Sequence, residues 1–504
     1  MSASLKAAPI RFAVFSNGAV LDPWQKNCLD ALLALPDLRL EAQLTLRNAA
    51  QLDASGVDFI LSFADEPCPT AMLDLPRYGV WRFQFGGRSA PSGAPIGFWE
   101  VYENQPITGA LLTRVHGNPD RVAVLREGYF RTQSLSCRKN QEQLLSRIAP
   151  WPAQICSALL NGASEIFSDP VILKERPGTP RFPNRGHRLL CRVRILARVA
   201  SSAWQSLFRH DQWNIGVVNQ PVAAFLQSER RAATNWLPPQ QRSAYLADPF
   251  GVLHEGRLTI LCEHFSYRDN IGTIVATDPL QAPAYSRVTI GPQPGIHMSY
   301  PLVMNVDGRM LCMPETSAAR EVTTYDLEKF PDRWVKAATL LHGPEVVDAT
   351  LFHHSEHWWI AGSEIAPKGA NCELYLWYAD ALTGPWHPHP GNPVKVDIRS
   401  ARPAGPPFID DGVLYRPAQD CSKTYGGRVI INRVLTLTPT AFREEAHIAV
   451  EPDSAGPYPK GLHTLSGVGE LTLIDGKRSA FIPAEFFRVL GNSLRSLLGR
   501  PKHA

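Results

Sequence analysis

The residues of this 504-residue chain best suited to chemistry are polar groups at the heads of an internal repeat. Asp248-Pro-Phe leads through His254-Glu-Gly-Arg to Glu263. Tyr300-Pro leads through Asp307-Gly-Arg to Glu315. Asp348-Ala-Thr leads through Glu356-His-Trp to Glu364, and the Arg402-Pro-Ala-Gly segment leads through Asp411-Gly to Asp420. Each unit reads as a strand, a tight turn, and a strand ending in an acid. When equivalent residues of a repeat converge on one axis, acids at two heads can do glycosidic chemistry, which needs one ionised carboxylate and another that holds a proton near neutral pH. Asp248 is the candidate base. Asp348 would orient a sugar or tune a neighbouring pKa, and Glu364 is the candidate acid. His297, Tyr300, Glu315, Arg402, Arg416, Asp420, Tyr425 and His463 are the substrate-binding candidates, because aromatic and arginine side chains together suit a sugar carrying phosphate or carboxylate. Any of these acids could instead cap a turn or pair with an arginine. Glu263, Glu315 and Asp420 recur too regularly for all to be catalytic. Asp307 and Asp411 each precede glycine and read as turn residues. His353-His354-Ser-Glu-His357 and His387-Pro-His389 lack helical i, i+4 spacing, so no metal site is expected.

The elements that must position these groups follow from the repeat. Its heads lie roughly 50 residues apart, which suits a four-stranded propeller blade. Trp213-Asn-Ile-Gly-Val-Val opens the run, and Gly461-Leu-His-Thr-Leu with Gly469-Glu-Leu-Thr-Leu-Ile closes it, so residues 213–480 have room for five blades; a β-sandwich is the alternative. Residues 1–165 differ. Strand signals at Ile10–Phe15, Leu40–Leu46 and Val57–Phe63 alternate with a helix at Trp24–Leu35 and a short polar helix, predicting an α/β domain with parallel strands. Its first turn has Gly18 but no glycine-rich phosphate motif. A basic linker at 166–212 carries nine arginines and lysines between Leu173 and His210 against Glu175 alone. The tail at 481–504 repeats the mixture of apolar and basic residues. Such helices either lie on an anionic membrane or dock their apolar face on the protein with arginines outward.

Composition narrows the class. Hydrophobic residues at 44% and charged residues at 19% describe a folded chain. No apolar run approaches the ~18 residues of a membrane span, and the N-terminus lacks a secretory pattern. Nine cysteines without a CxxC pair fit a reducing cytoplasm. The expected location is therefore cytoplasmic, with peripheral attachment at an inner membrane allowed. A net charge of +4 gives no reason to expect nucleic-acid binding.

Ala247-Asp-Pro-Phe, His297-Met-Ser-Tyr-Pro301, Met313-Pro-Glu-Thr-Ser317, Val347-Asp-Ala-Thr350, Gly384-Pro-Trp-His-Pro388, Asn392-Pro and Gln419-Asp-Cys-Ser-Lys-Thr-Tyr-Gly-Gly-Arg428 occur in order between residues 247 and 428. Together they resemble the N-terminal domain of plant glucosamine inositolphosphorylceramide transferases. That domain is in turn similar to the five-bladed propellers of glycoside hydrolase family 43. The resemblance implies an Asp beside a Pro as base, a second Asp as pKa modulator and a Glu as acid. Asp248 and Asp348 fall on the two Asp patterns, and Glu364 is the nearest match to the Glu. The plant proteins carry a further C-terminal glycosyltransferase domain, and no counterpart of it is expected within these 504 residues. Gly79-Val-Trp-Arg-Phe-Gln-Phe-Gly-Gly87, Pro95-Ile-Gly-Phe-Trp-Glu and Pro106-Ile-Thr-Gly-Ala-Leu-Leu are similar to the central motif of formyltransferases. There Arg82 and Gln84 stand at the family's Asn and His positions, and Asp120 matches its Asp. Glutamine cannot exchange a proton near pH 7, which implies a domain without formyl transfer.

The expected protein is a sugar-transferring enzyme, a glycosyltransferase acting in assembly of a bacterial surface glycan or glycolipid, with the chemistry in the propeller pocket. The alternatives are a hydrolase of the family-43 type, a non-catalytic glycan-binding scaffold, and a residual formyltransferase. A carbohydrate or glycolipid is the expected partner. No cofactor is expected; a nucleotide-sugar donor is compatible, and folate is not expected.

Overall fold

The computed structural model describes residues 9–45, 56–64, 69, 72–73, 76–88, 95–116, 122–162, 171–173, 182–227, 232–241, 243–291, 295–365 and 371–481. The chain divides into two compact units, one built mainly from residues 1–195 and the other mainly from residues 196–504.

The first unit is α/β. Its sheet contains β1 (Ile10–Phe15), β2 (Leu38–Leu44), β3 (Phe59–Ser62), β4 (Val80–Phe85), β5 (Ile107–Val115), β6 (Val122–Arg131) and β7 (Val171–Leu173), in the order β2-β1-β3-β4-β5-β6-β7. The first four strands pair in parallel, and the last three add antiparallel. The all-parallel expectation therefore holds for only half of the sheet. Apolar alternation marks a strand but not its direction, so β5 and β6 left no trace of reversal in the pattern. The helices are α1 (Pro23–Leu33), α2 (Phe98–Glu103), α3 (Cys137–Ile148) and α4 (Trp151–Leu160); α5 (Arg185–Phe208) contributes its residues 185–195 to this unit and the rest to the second. Proline at the first position of α1 has the preset φ a helix start needs. Inside the sheet Phe59 stacks between Phe12 and Trp81, with centroids at 5.3 and 4.1 Å. The short polar helix expected after β2 and the C-terminal helix expected at 481–504 lie outside the described residues, as does Asp120.

The second unit is a five-bladed β-propeller. Its strands begin with β8 (Arg209–Val218) and β9 (Thr234–Trp236). Blade one is β10 (Ala244–His254), β11 (Arg257–Ser266), β12 (Ile271–Thr277) and β13 (Ser286–Arg287). Blade two is β14 (Ser299–Val306), β15 (Arg309–Glu315), β16 (Glu321–Lys329) and β17 (Arg333–His342). Blade three is β18 (Val346–His354), β19 (His357–Glu364), β20 (Glu373–Ala379) and β21 (His387–Pro388), with β22 (Lys395–Val396) also on β20. Blade four is β23 (Phe408–Asp410), β24 (Val413–Asp420), β25 (Arg428–Leu437) and β26 (Phe442–Val450). Blade five joins the two ends of the run: β27 (Leu465–Val468) and β28 (Leu471–Phe481) pair onto β8 and β9. Residues 209–218 meet 472–481 along ten registered pairs, which closes the ring. The opening and closing segments identified in the sequence thus share one sheet.

Cores form between neighbouring blades. Phe250, Tyr300, Met313 and Leu351 belong to one cluster, and Ile215, Leu246, Cys262 and Leu473 to another. The hairpin turns Glu255-Gly256, Asp307-Gly308 and Asp411-Gly412 hold positive φ at both central residues, as two-residue turns matched to strand twist require. Asp307 and Asp411 are therefore turn residues.

Candidate functional site

The site is built by a local irregularity repeated in three blades. The register of the first strand against the second slips between Ala247 and Phe250, between Ser299 and Leu302, and between Val347 and Thr350. Inside each slip one residue takes a left-handed backbone: Asp248 at φ 51°, Tyr300 at φ 46° and Asp348 at φ 50°. That conformation costs an L-residue about 1–2 kcal/mol. Such strain, paid at the same place in three blades, concentrates at functional sites. A bulge re-aims the side chain it carries.

The second strand supplies the complementary group. Glu263 sits opposite Ala247, and Glu315 opposite Ser299. In both cases the acid pairs with the residue just before the bulged head. The third blade places Ser363 opposite Val347, at the equivalent position. Glu364 is one residue further on and points to the other face, because strand side chains alternate with period two. It is only half-buried and lies outside the pocket. Blade four shows the same offset. Gln419 reaches inward and donates to Asp348, whereas the next residue, Asp420, accepts from Arg428 at 2.8 Å and from the Ser422 N–H at 2.9 Å. Arg416 is also removed from the site: its guanidinium is buried against Glu444 at 2.6 Å and donates to the Ser400 and Ala401 carbonyls. Tyr300 is fully buried, with its hydroxyl 2.9 Å from the Thr350 hydroxyl and accepting the Gly405 N–H at 2.7 Å. It braces the blade heads rather than lining the pocket.

The structure does bring together Asp248, His297, Glu315, Asp348, Arg402, Tyr425 and His463 around a cavity of about 140 Å³. Glu263, Trp213, Tyr245, Ala247 and Ser299 complete the lining. The sequence had left Glu263 among the regular acids that end each repeat; its pairing opposite the residue before the first head is the signal that separates it from Asp420.

Each acid has its own surroundings. Arg402 grips Asp348 with two donors, at 2.6 and 3.1 Å, and Gln419 adds a third at 2.7 Å. Burial opposes the charge on Arg402, but the Asp348 carboxylate outweighs it and holds the guanidinium well above its usual range. Glu315 accepts the Asp348 N–H at 3.0 Å and the Ser317 hydroxyl at 3.2 Å. Burial first, then the charge of Asp348, push its carboxyl up to about 8, so it holds a proton at neutral pH. Asp248 accepts from the Thr464 hydroxyl at 3.0 Å and the Tyr300 N–H at 3.3 Å. Burial raises it and His463 lowers it, leaving it at about 6. Glu263, 3.5 Å from His297, is pushed well above the carboxylate range by burial and then by the charge of Asp248.

His463 bridges two acids. Its Nδ1 donates to Asp475 at 2.5 Å and its Nε2 lies 3.6 Å from Asp248. Burial opposes its charge, but Asp475 and Asp248 raise its pKa overall. The ring stacks on Trp213 at 3.9 Å, and Tyr425 meets it edge-on at 5.3 Å. Among the described residues, Asp248, His463 and Asp475 are the one group whose donor atoms lie within 4.8 Å of one another, close enough to hold a metal ion. Asp475 already accepts three backbone N–H groups, from Asp248, His463 and Thr464. Its side chain is therefore committed to the loop.

In the first unit, Arg82 and Gln84 are two apart on β4 and so share a face. The backbone carbonyl of Arg82 accepts the Thr113 hydroxyl at 3.0 Å.

The family model described as "Glucosamine inositolphosphorylceramide transferase 1, N-terminal" matches residues 213–463. Glucosamine inositolphosphorylceramide transferase 1 of Arabidopsis thaliana is 33% identical over 220 residues, covering 42% of this chain and 29% of the relative. The protein of the same name from Oryza sativa subsp. japonica is 33% identical over 207 residues, covering 40% and 28%. The chain thus spans less than a third of the length of these relatives. Among solved structures, an exo-beta-1,3-galactanase from Clostridium thermocellum aligns with TM-score 0.33 and 12% identity, over 44% of this chain and 58% of that one. An alpha-L-arabinofuranosidase from Podospora anserina aligns with TM-score 0.35 and 12% identity, over 48% and 94%. The propeller of this chain is accordingly similar, by sequence, to the N-terminal domain of the glucosamine inositolphosphorylceramide transferase family.

Proposed function

We propose that the propeller pocket acts on a sugar and that the protein is a sugar-transferring enzyme whose acceptor or product is a glycolipid. The observation that carries this reading is the convergence of four buried acids, Asp248, Glu263, Glu315 and Asp348, with Arg402 and His463 on one aromatic-lined cavity. Asp248, at about 6, is ionised at neutral pH and suits a general base toward an acceptor hydroxyl. Glu315, at about 8, keeps its proton and suits the acid toward a leaving oxygen. This assigns the acid to Glu315 rather than Glu364. Asp348, clamped by Arg402 and Gln419, orients the sugar and raises Glu315. Tyr245 and Tyr425 offer aromatic surface for a sugar ring, and Arg402 and His297 offer donors for an anionic substituent. The named activity of the plant relatives supports a glycolipid as the partner.

The N-terminal unit is proposed to be a formyltransferase-like module without that activity, since Arg82 and Gln84 cannot supply the proton exchange of a histidine. Location in the cytoplasm is part of the same proposal.

The test is to incubate the protein with nucleotide-linked hexosamines and inositol phospholipids and to read products by mass spectrometry. A product one hexosamine heavier, lost in Asp248→Asn and Glu315→Gln and kept in Glu364→Gln, supports transfer. Release of free sugar from a glycoside without a donor would make the same acids a hydrolase. Sugar binding without turnover would leave a scaffold.

A further inference from the structure

Helix α5 presents to solvent the face an amphipathic helix ordinarily buries. It runs for 24 residues, about 36 Å at helical rise. One face of its N-terminal half docks on the first unit. Cys191 is buried with its sulfur 3.7 Å from that of Cys137. The His187 ring meets Trp99 and Tyr102, and Arg194 donates to the Tyr102 carbonyl while its guanidinium lies over the Tyr102 ring. Leu189, Val193, Leu196, Ala200 and Trp204 recur at i, i+4, i+7, i+11 and i+15 and so share another face. Along its first half that face is exposed: Leu189 is 65% exposed, Val193 55% and Leu196 68%. Phe182, just before the helix, is 68% exposed. The sequence permitted either arrangement, apolar face inward or apolar face outward, and the structure takes the second.

The charges around this row have one sign. Arg185, Arg188, Arg192, Arg194 and Arg198 lie within the helix, and no Asp or Glu occurs between residues 185 and 208. Arg185, Arg188 and Arg192 are exposed and flank the apolar row on one side. A protein partner or a second copy would satisfy the apolar residues but would have to supply an acidic rim. An anionic bilayer supplies both at once: acyl chains for the row and headgroups for the arginines. The aromatic residue just before the helix, Phe182, suits the headgroup boundary.

We infer that the outward face of α5 is a membrane-docking surface that lies in the interface of an anionic lipid bilayer. Among the described residues no helix is long and apolar enough to cross a membrane, so the attachment is along the surface. The inference stands independently of the function proposed for the propeller pocket.

The experiment is co-sedimentation of the full chain with vesicles of phosphatidylcholine alone and of phosphatidylcholine mixed equally with phosphatidylglycerol. Each arginine at an anionic surface strengthens binding about fivefold, so the three exposed arginines predict a preference on the order of a hundredfold for the anionic vesicles. High salt should reduce it. Two variants, Leu189→Ser/Val193→Ser/Leu196→Ser and Arg185→Gln/Arg188→Gln/Arg192→Gln, change only exposed side chains and should each lose most of the binding. Their unfolding midpoints should match that of the parent. Equal affinity for neutral and anionic vesicles, or binding that survives both variants, would overturn the inference. So would a parent chain that sediments as a dimer and becomes monomeric in the triple serine variant, since the face would then belong to a second copy.

Discussion

Replacing Glu315 by glutamine should make the protein more stable, and the gain should grow with pH. The glutamine side chain keeps an oxygen for the Asp348 N–H and the Ser317 hydroxyl, so the local hydrogen bonds survive. Glu315 is raised from 4.5 to about 8 in the folded protein, chiefly by burial. The sign follows from linkage: a carboxyl raised on folding contributes stability that is complete below its unfolded pKa and is lost as pH rises toward its folded pKa. Between pH 5 and pH 7 the unfolded chain has released this proton and the folded chain has not. Each pH unit in that window costs the parent about 1.4 kcal/mol, so the advantage of Glu315→Gln should widen by about 2–3 kcal/mol from pH 5 to pH 7. Urea unfolding of both proteins at pH 5, 6 and 7 reads the difference directly. A stability difference that stays constant across those pH values would refute the reasoning. Glu315 would then be ionised at neutral pH and could not serve as the acid.

Activity should follow a bell-shaped pH profile for kcat/KM. It should fall below about 6 as Asp248 gains a proton and above about 8 as Glu315 loses one, and a flat profile from pH 5 to pH 9 would contradict both assignments. Arg402→Met should destabilise the fold by about 3–5 kcal/mol, because it leaves the buried Asp348 carboxylate without its charged partner. Denaturant unfolding checks it. Tyr300→Phe should cost about 1–3 kcal/mol, since the buried Gly405 N–H loses its acceptor, as the same denaturant series would show. Glu364→Gln, on the opposite face of its strand, should leave turnover within a factor of about two, whereas loss of turnover would return Glu364 to the site.

The propeller was legible because its hairpins repeat turn chemistry and apolar strands at a near-constant period, and because the segments at 213 and 461–474 are half-blades that fit only each other. The heads Asp248, Tyr300 and Asp348 were legible for the same reason. What the repeat could not convey was phase. Glu364 and Asp420 follow their apolar runs as Glu263 and Glu315 do, yet each stands one residue past the inward position, where Ser363 and Gln419 stand instead. A one-residue offset reverses the face of a strand side chain, and composition does not record it. His463 was named as a binding residue, but its second acid, Asp475, comes from β28 in the same β27–β28 hairpin, where no repeat head marked it, and the contact of His463 with Asp248 depends on blade five packing beside blade one. In α5 the period of apolar residues was plain from the sequence. Which way they faced was set by the docking of His187, Cys191 and Arg194, a tertiary choice outside the helix itself.

The most direct test of the central claim is to compare sugar turnover and sugar binding in the parent protein and in Asp248→Asn. If the propeller pocket carries the chemistry, Asp248→Asn should bind the sugar substrate with affinity within about tenfold of the parent and lose turnover by about 10²–10⁴-fold, the usual contribution of a positioned acid or base. Turnover that persists in Asp248→Asn while the sugar remains bound would place the chemistry outside this pocket and contradict the account.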